Sequence, residues 1–309
     1  KKVVSIVISI MLSVGLSSSC FASSSISNAN VKVDTVISKK LEIQRIAGKN
    51  RYETSAKVGT IIRNIKNSNF VVIASGETFA DALTAGNLAS EYNCPLYFIQ
   101  KDRIPEEVES ALSESPFVEK IFIVGGTSAV SIDNILGYTN DKVTRISGKD
   151  RLETAERVMR EIQLHKTIIN GSFVGGGDIY ATYDGYNFPD ALTATPFIYQ
   201  LNIAEKGLVP ILPEMSKNKN VKIDSHMEYI FGGRSSVPEY ERELYRFDGK
   251  NRYDTSVKVA KAYKELLKKD IDTIVITSGE NFADALSAGP LASSKNAAIL
   301  LTESKALNK

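Results

Sequence analysis

The feature that most limits what this chain can fold into is that it repeats itself. The block Arg45-Ile-Ala-Gly48-Lys-Asn-Arg51-Tyr-Glu-Thr54 returns as Arg145-Ile-Ser-Gly148-Lys-Asp-Arg151-Leu-Glu-Thr154 and again as Arg246-Phe-Asp-Gly249-Lys-Asn-Arg252-Tyr-Asp-Thr255. The intervals are 100 and 101 residues (45 to 145 to 246). A second block keeps step: Phe79-Ala-Asp81-Ala-Leu83, Phe188-Pro-Asp190-Ala-Leu192 and Phe282-Ala-Asp284-Ala-Leu286. A third, Ile123-Val-Gly125-Gly126-Thr-Ser-Ala-Val130, recurs once, as Ile230-Phe-Gly232-Gly233-Arg-Ser-Ser-Val237. The spacing of the first copy would put a further one beyond Lys309, so the third module reads as cut short. Units of this length are domain-sized, which predicts a tandem array of modules, each with its own core.

Within the first module, apolar runs at Phe70 to Ala74, Leu96 to Ile99 and Ile121 to Val124 alternate with helical patterns at Tyr52 to Lys66, Phe79 to Glu91 and Pro105 to Ser113. Alternating strand and helix predicts an α/β fold. The runs are continuous rather than period-two, as in parallel sheets covered by helices on both faces. The second module is longer: Gly148 and Phe188 are 40 residues apart, against 31 from Gly48 to Phe79 and 33 from Gly249 to Phe282. Its surplus includes Gly175-Gly176-Gly177 and is expected to be a surface loop.

Composition excludes several classes. Lys and Arg number 38 against 36 Asp and Glu, a formal net charge of +2, so no global field points to nucleic acid, and an anion-binding surface must be local. Two cysteines, Cys20 and Cys94, provide neither a disulfide framework nor a thiolate zinc site, and the repeats share no His, Cys or Ser/His pair. No catalytic constellation, metal or cofactor is expected, and Cys94 reads as a small buried hydrophobe. His165 and His226 have no copies in the other modules and read as incidental surface residues. At the amino end, Lys1 and Lys2 precede an apolar run from Val3 to Leu16 and small residues up to Ala22, the pattern of a signal peptide. A retained anchor and a lipid-modified Cys20 are its rivals, disfavoured by the short run and by the absence of a Leu three positions before the cysteine. The chain then divides into a signal peptide (1–22), a polar leader (23–40), module one (41–140), module two with its insertion (141–241) and an incomplete module three (242–309).

The repeated residues admit structural and functional readings. Asp81, Asp190 and Asp284 lie three positions after Thr78, Asn187 and Asn281, the spacing of a capping box; the rival is a carboxylate that receives sugar hydroxyls or amines. Phe79, Phe188 and Phe282 read as core anchors. The glycine pairs suit a tight turn beside an interface, and they lack the Lys and Ser/Thr of a P-loop. Arg45, Arg51, Arg145, Arg151, Arg246 and Arg252 present two guanidiniums per module, which suit planar pairing with carboxylate or phosphate. One arginine per module is expected to be held by an internal acid such as Asp81 or Glu53, leaving the rest for an anionic polymer on which three weak grips add up.

Taken together, the arginine block, the Phe-Ala-Asp-Ala-Leu block, the strands Pro95-Leu-Tyr-Phe, Pro210-Ile-Leu-Pro and Ala298-Ile-Leu-Leu, and the Gly-Gly-x-Ser-x-Val block resemble the cell wall binding repeat 2 family of clostridial surface proteins over Leu41 to Lys309. The resemblance implies three Rossmann-like or Toprim-like modules packed around a pseudo-threefold axis. It also implies noncovalent attachment of a secreted protein to an anionic, teichoic-acid-like wall polysaccharide at the cell surface, with S-layer proteins as further partners and no catalysis. Two alternatives stand beside it: the anchoring segment of a wall hydrolase such as an amidase, with its catalytic domain outside this chain, and a nucleotide-binding α/β enzyme.

Overall fold

The structure, a computed structural model, describes residues 6–9, 42–114, 117–131, 137, 142–170, 179–204, 211–216 and 223–304, with the side chains at 6–9, 170, 223–228, 283 and 284 outside that description. Most of the expected signal peptide, the leader, the triglycine insertion and the side chains of His226 and Asp284 therefore lie outside the described residues.

An amino-terminal strand β1 (Ile6–Ser9) precedes module one, which runs β2 (Glu42–Arg45), α1 (Arg51–Lys66), β3 (Phe70–Ser75), α2 (Ala80–Glu91), β4 (Leu96–Ile99), α3 (Glu106–Ser113) and β5 (Lys120–Val124). Module two runs β6 (Val143–Ile146), α4 (Arg151–Asn170), β7 (Ile179–Tyr183), α5 (Phe188–Ala204), β8 (Ile211–Met215) and β9 (Ile223–Phe231). Module three holds β10 (Tyr240–Phe247), α6 (Arg252–Glu265), β11 (Thr273–Ser278), α7 (Phe282–Ala285), α8 (Ala288–Ser294) and β12 (Ala298–Thr302). The alternating α/β order and the parallel strands expected from the sequence are present. Part of the surplus in module two is helix rather than loop: α4 has 20 residues where α1 has 16.

The sheets do not respect the repeat boundaries. Their orders are β4-β3-β5-β6 and β8-β7-β9-β10, parallel throughout, so the fourth strand of each comes from the next module. The third sheet is β12-β11-β1-β2: β11 and β12 are parallel, β1 is antiparallel to both of its neighbours, and the fourth strand comes from module one.

Nor does each module own its core. One face of the first sheet packs Val71, Ile73, Tyr97 and Ile99 against Ala56, Val108 and Leu112 of α1 and α3. The other face, with Val72, Leu96, Phe98 and Phe122, joins a single cluster that continues through Phe197 and Phe231 of module two to Tyr263 and Leu291 of module three. The reason lies in the central helices. From Ala82 to Ser90 every residue of α2 is buried, the signature of a helix enclosed on all sides. Helices α2, α5 and α8 touch one another pairwise, and α1, α4 and α6 each bridge a strand of their own module and a central helix of another. Small residues let the backbones approach: a Cβ on Gly289 would lie 3.1 Å from Thr195 Cγ2. Polar side chains tie the same seams, with Ser293 Oγ donating to Ser90 Oγ at 2.9 Å and Asn87 Nδ2 to the Tyr183 hydroxyl at 2.9 Å. Each large apolar side chain fully buried this way contributes about 1.5–3 kcal/mol relative to exposure, so the shared core binds the modules to one another.

Candidate functional site

The arginine block is first of all a device for starting a helix. Asn50 Oδ1 accepts the amides of Tyr52 and Glu53, both at 2.9 Å; Asp150 accepts that of Glu153 at 2.9 Å; and Asn251 accepts those of Tyr253 at 3.0 Å and Asp254 at 2.9 Å. The acid of the first turn reaches back to the lysine amide, Lys149 to Glu153 and Lys250 to Asp254 at 2.9 Å, with Lys49 to Glu53 in the same way. The hydroxyls of Thr54, Thr154 and Thr255 accept the amides of Gly48, Gly148 and Gly249 at 3.0 Å. No side chain fits at that glycine, since a Cβ on Gly48 would lie 2.5 Å from the Thr54 nitrogen.

The expected capping role of the second block is not what α2 shows. Its N-cap is Phe79, which makes no side-chain cap bond, and Asp81 turns away toward module two. There the three repeated blocks converge. Asp81 Oδ2 lies 2.8 Å from where a Cβ on Gly125 would sit, and Asp81 faces Thr154 and Arg151. At the next boundary Asp190 Oδ2 lies 3.0 Å from the Cβ position of Gly232 and faces Arg252 and Thr255. Gly125 and Gly232 have φ of 120° and 126°, a region open to glycine. The internal pairing expected within one module is therefore replaced by an acid of one module meeting an arginine of the next. The Asp284 side chain is outside the described residues.

Burial raises Asp81 above the usual carboxylate range against the pull of Thr154 and Arg151. Burial pushes Asp190 up to about 6, with Arg252 and Thr255 opposing and the neighbouring Asp184 adding to the rise. Asp184 is itself buried and spends its oxygens on the Tyr186 amide at 2.8 Å and Asn187 Nδ2 at 2.7 Å.

The arginines fall into two sets. Arg145 donates to the Gly125 carbonyl at 2.9 Å. Arg246 has a side chain 7% exposed, and it donates to the carbonyls of Gly232 and Val237 at 3.1 Å and of Pro238 at 2.7 Å while pairing with Glu243. Arg45, at the same repeat position, is exposed. The second set stands at the first residues of α1, α4 and α6. Arg51, Arg151 and Arg252 donate to the carbonyls of Gly76, Gly185 (3.0 Å) and Gly279. Beside them Phe79, Phe188 and Phe282 form a triangle of half-buried rings with centroid separations of 6.1, 5.6 and 6.1 Å. The Arg51 guanidinium lies 5.4 Å from the Phe282 ring, and that of Arg151 lies 5.6 Å from Phe79 and 5.0 Å from Tyr186, an exposed ring. Forked cations around an aromatic floor can take phosphate oxygens and the apolar face of a sugar.

Sequence reasoning missed a second seam between modules one and two. His165, expected at the surface, is stacked on Tyr92 at 3.9 Å with its Nδ1 3.3 Å from Glu91, and Lys166 pairs with the same carboxylate at 2.7 Å. Tyr92 donates to Glu161 at 2.9 Å. Burial pushes Glu91 up, but the hydrogen bond with His165 and the Lys166 charge outweigh it and hold the carboxyl below its usual range. Because these residues are unique to one boundary, the repeats carried no signal for them. Cys94 is buried as expected, and burial raises its thiol well above the usual range. Among the described residues, no group of three or more His, Cys, Asp or Glu side chains is placed to hold a metal ion.

Comparison with known proteins gives a consistent pattern. The family model described as cell wall binding domain 2 matches residues 45–135, 145–241 and 246–309. The chain is 29% identical over 268 residues to an amidase enhancer of Bacillus subtilis, covering 84% of this chain and 34% of that protein. It is 25% identical over 279 residues to the N-acetylmuramoyl-L-alanine amidase LytC of the same organism, covering 86% and 51%. Among solved structures, Cwp6 from Clostridium difficile superimposes with a TM-score of 0.65 at 25% identity over 90% of this chain and 44% of that one. Cwp8 from the same organism, at 23% identity, shares the fold with a TM-score of 0.61, over 82% and 44%.

Proposed function

The chain belongs to the cell wall binding domain 2 family, and on that premise we propose that it holds a secreted protein noncovalently on the Gram-positive wall by gripping an anionic, teichoic-acid-like polysaccharide. The observation that carries the ligand class is the repeated guanidinium beside a half-buried phenylalanine, in a chain whose net charge is only +2. A diffuse field would not select a phosphate polymer; forked donors held by glycine carbonyls at module seams do. Arg51, Arg151 and Arg252 are the phosphate-facing cations of this reading, with the exposed Arg45 beside them. Arg145 and Arg246 shape the junction through the carbonyls they hold, and Asp81, Asp190 and, by its repeat position, Asp284 orient the arginines of the neighbouring module. The pairwise contact of α2, α5 and α8 and the phenylalanine triangle support the pseudo-threefold arrangement.

The chain spans about a third and a half of the lengths of the two curated relatives, so what the longer protein does is a separate matter. That coverage favours a second reading in which this is the anchor of a wall hydrolase whose catalytic part lies elsewhere. In both readings the modules bind and do not catalyse, S-layer proteins are the neighbours on the wall, and the apolar amino end directs export.

The test is retention on purified walls before and after chemical removal of the anionic polymer, titrated with salt. Retention that vanishes with the polymer, falls with ionic strength and drops in folded Arg51→Lys, Arg151→Lys, Arg252→Lys protein supports the reading. Binding indifferent to both polymer and salt overturns it.

A further inference from the structure

The cradles around Arg51 and Arg252 share one frame. A Cβ on Gly76 would lie 2.6 Å from Tyr52 Cε1 and 3.3 Å from Arg51 Cδ; on Gly279 it would lie 2.8 Å from Tyr253 Cε1 and 3.2 Å from Arg252 Cδ. An exposed acid follows each glycine, Glu77 or Glu280, its amide donating to Ser75 or Ser278 Oγ at 3.1 Å. The glycine amides donate across the sheet to Ile99 and Thr302, both at 2.9 Å, which puts Gln100 and Glu303 at the same point of the two cradles. The charges laid on this frame differ. Gln100 Oε1 accepts from Arg103 Nε at 2.8 Å, and the Gln100 amide donates to the Arg103 carbonyl at 3.1 Å, so the turn brings a second guanidinium to module one. Tyr52 therefore faces two arginines, Arg51 and Arg103, and one acid, Glu77. Tyr253 faces one arginine, Arg252, and two acids, Glu280 and Glu303, with Glu280 tied to the turn by the Ser304 amide at 3.2 Å. The sequence of the whole turn keeps that order: Gln100-Lys101-Asp102-Arg103 has one positive charge in excess, and Glu303-Ser304-Lys305-Ala306 is balanced. In module two Tyr186 stands in the place of the exposed acid, its ring 5.0 Å from Arg151.

We propose that the three cradles are unequal: modules one and two carry the grip on the phosphates of the polymer, module three turns them away, and Glu303 is the residue that decides it. The inference rests on the reading of Arg51, Arg151 and Arg252 as phosphate-facing. A carboxylate in the place of the Gln100 carboxamide, without a partner for Arg103, reverses the balance from two cations and one acid to one cation and two acids, while the backbone and the aromatic wall stay the same. Repulsion added to an unchanged attractive group is a common way to discriminate between ligands. Arg252 still holds the Gly279 carbonyl and faces Asp190, so its place in the module boundary does not depend on a phosphate. Avidity then comes from two strong sites rather than three alike.

The experiment exchanges the two side chains, which are the same size, in the full chain and measures binding isotherms on purified walls with and without their anionic polymer. Glu303→Gln is expected to tighten binding about two- to fivefold at low salt and Gln100→Glu to weaken it by a similar factor, both differences fading as ionic strength rises. The double exchange should return close to wild type, and Arg252→Lys should cost less retention than Arg51→Lys. Melting temperatures should stay level for the two exchanges, since Glu303 is exposed and Glu at position 100 can still accept from Arg103. Wild-type binding that ignores both polymer and salt strikes the wall-polymer reading itself. Polymer-dependent binding that Glu303→Gln leaves unchanged or weakens, or that Gln100→Glu leaves unchanged, overturns the inequality of the cradles and leaves that reading standing.

Discussion

The guanidinium carbon of Arg151 lies 5.6 Å from the ring centre of Phe79, across the boundary between the first two modules. The same side chain donates to the Gly185 carbonyl and faces Asp81. One residue therefore links the aromatic triangle, a glycine turn and a half-buried carboxylate, so a structural role and the proposed binding role meet in it.

Arg151→Ala is expected to cost about 1–3 kcal/mol of stability, the range for losing a charge-assisted hydrogen bond and stranding its partner carboxylate. It should also weaken salt-sensitive wall retention, whereas Arg151→Lys should keep more of the stability than of the retention. Chemical denaturation together with wall pull-down separates the two.

Gly125→Ala places a methyl group 2.8 Å from Asp81 Oδ2 at a φ of 120°. A loss of about 1–3 kcal/mol is expected from the backbone strain alone. Combined with Asp81→Ala the clash disappears while the strain remains, so the double variant should lose less than the sum of the singles. Urea midpoints of the four proteins test this.

Asp190, with a folded-state value of about 6 against 3.8 for a free side chain, holds a proton that the unfolded chain releases earlier. Its contribution to stability is full below pH 3.8 and is lost as pH rises through about 6. In Asp190→Asn that decline should be absent, leaving the variant relatively more stable at neutral pH. Denaturation curves between pH 4 and 7.5 for both proteins measure it; an unchanged pH dependence would speak against the assignment.

Lys166→Met leaves Glu91 charged and largely buried without its cation, an expected loss of about 3–5 kcal/mol. Adding Glu91→Gln should recover much of it. Glu91 itself, held below its usual range, contributes stability that is present above pH 4.5 and lost as pH falls through its folded-state value. Acid titration of unfolding in wild type and Glu91→Gln checks the sign.

Strand and helix positions were legible because continuous apolar runs with helices between them leave little choice; Leu96 to Ile99 is strand to the residue, and Phe70 to Ala74 gains one. The partner of each repeated charge was not legible. Asp81 and Arg151 are 70 positions apart in different copies, and a repeat shows that a residue recurs without showing which copy it faces. Nor was it legible that the lysine of the arginine block holds the helix start through its backbone amide. His165 was misplaced for a related reason: it occurs once, and its stacking on Tyr92 depends on how two modules meet.

Because β6 and β10 each complete the sheet of the preceding copy, no copy can be excised as a free-standing piece. Cutting the gene at the sequence repeat would sever a sheet, and cutting at the sheet would split the sequence repeat. Duplication that began with interchangeable parts has ended in parts that cannot be traded.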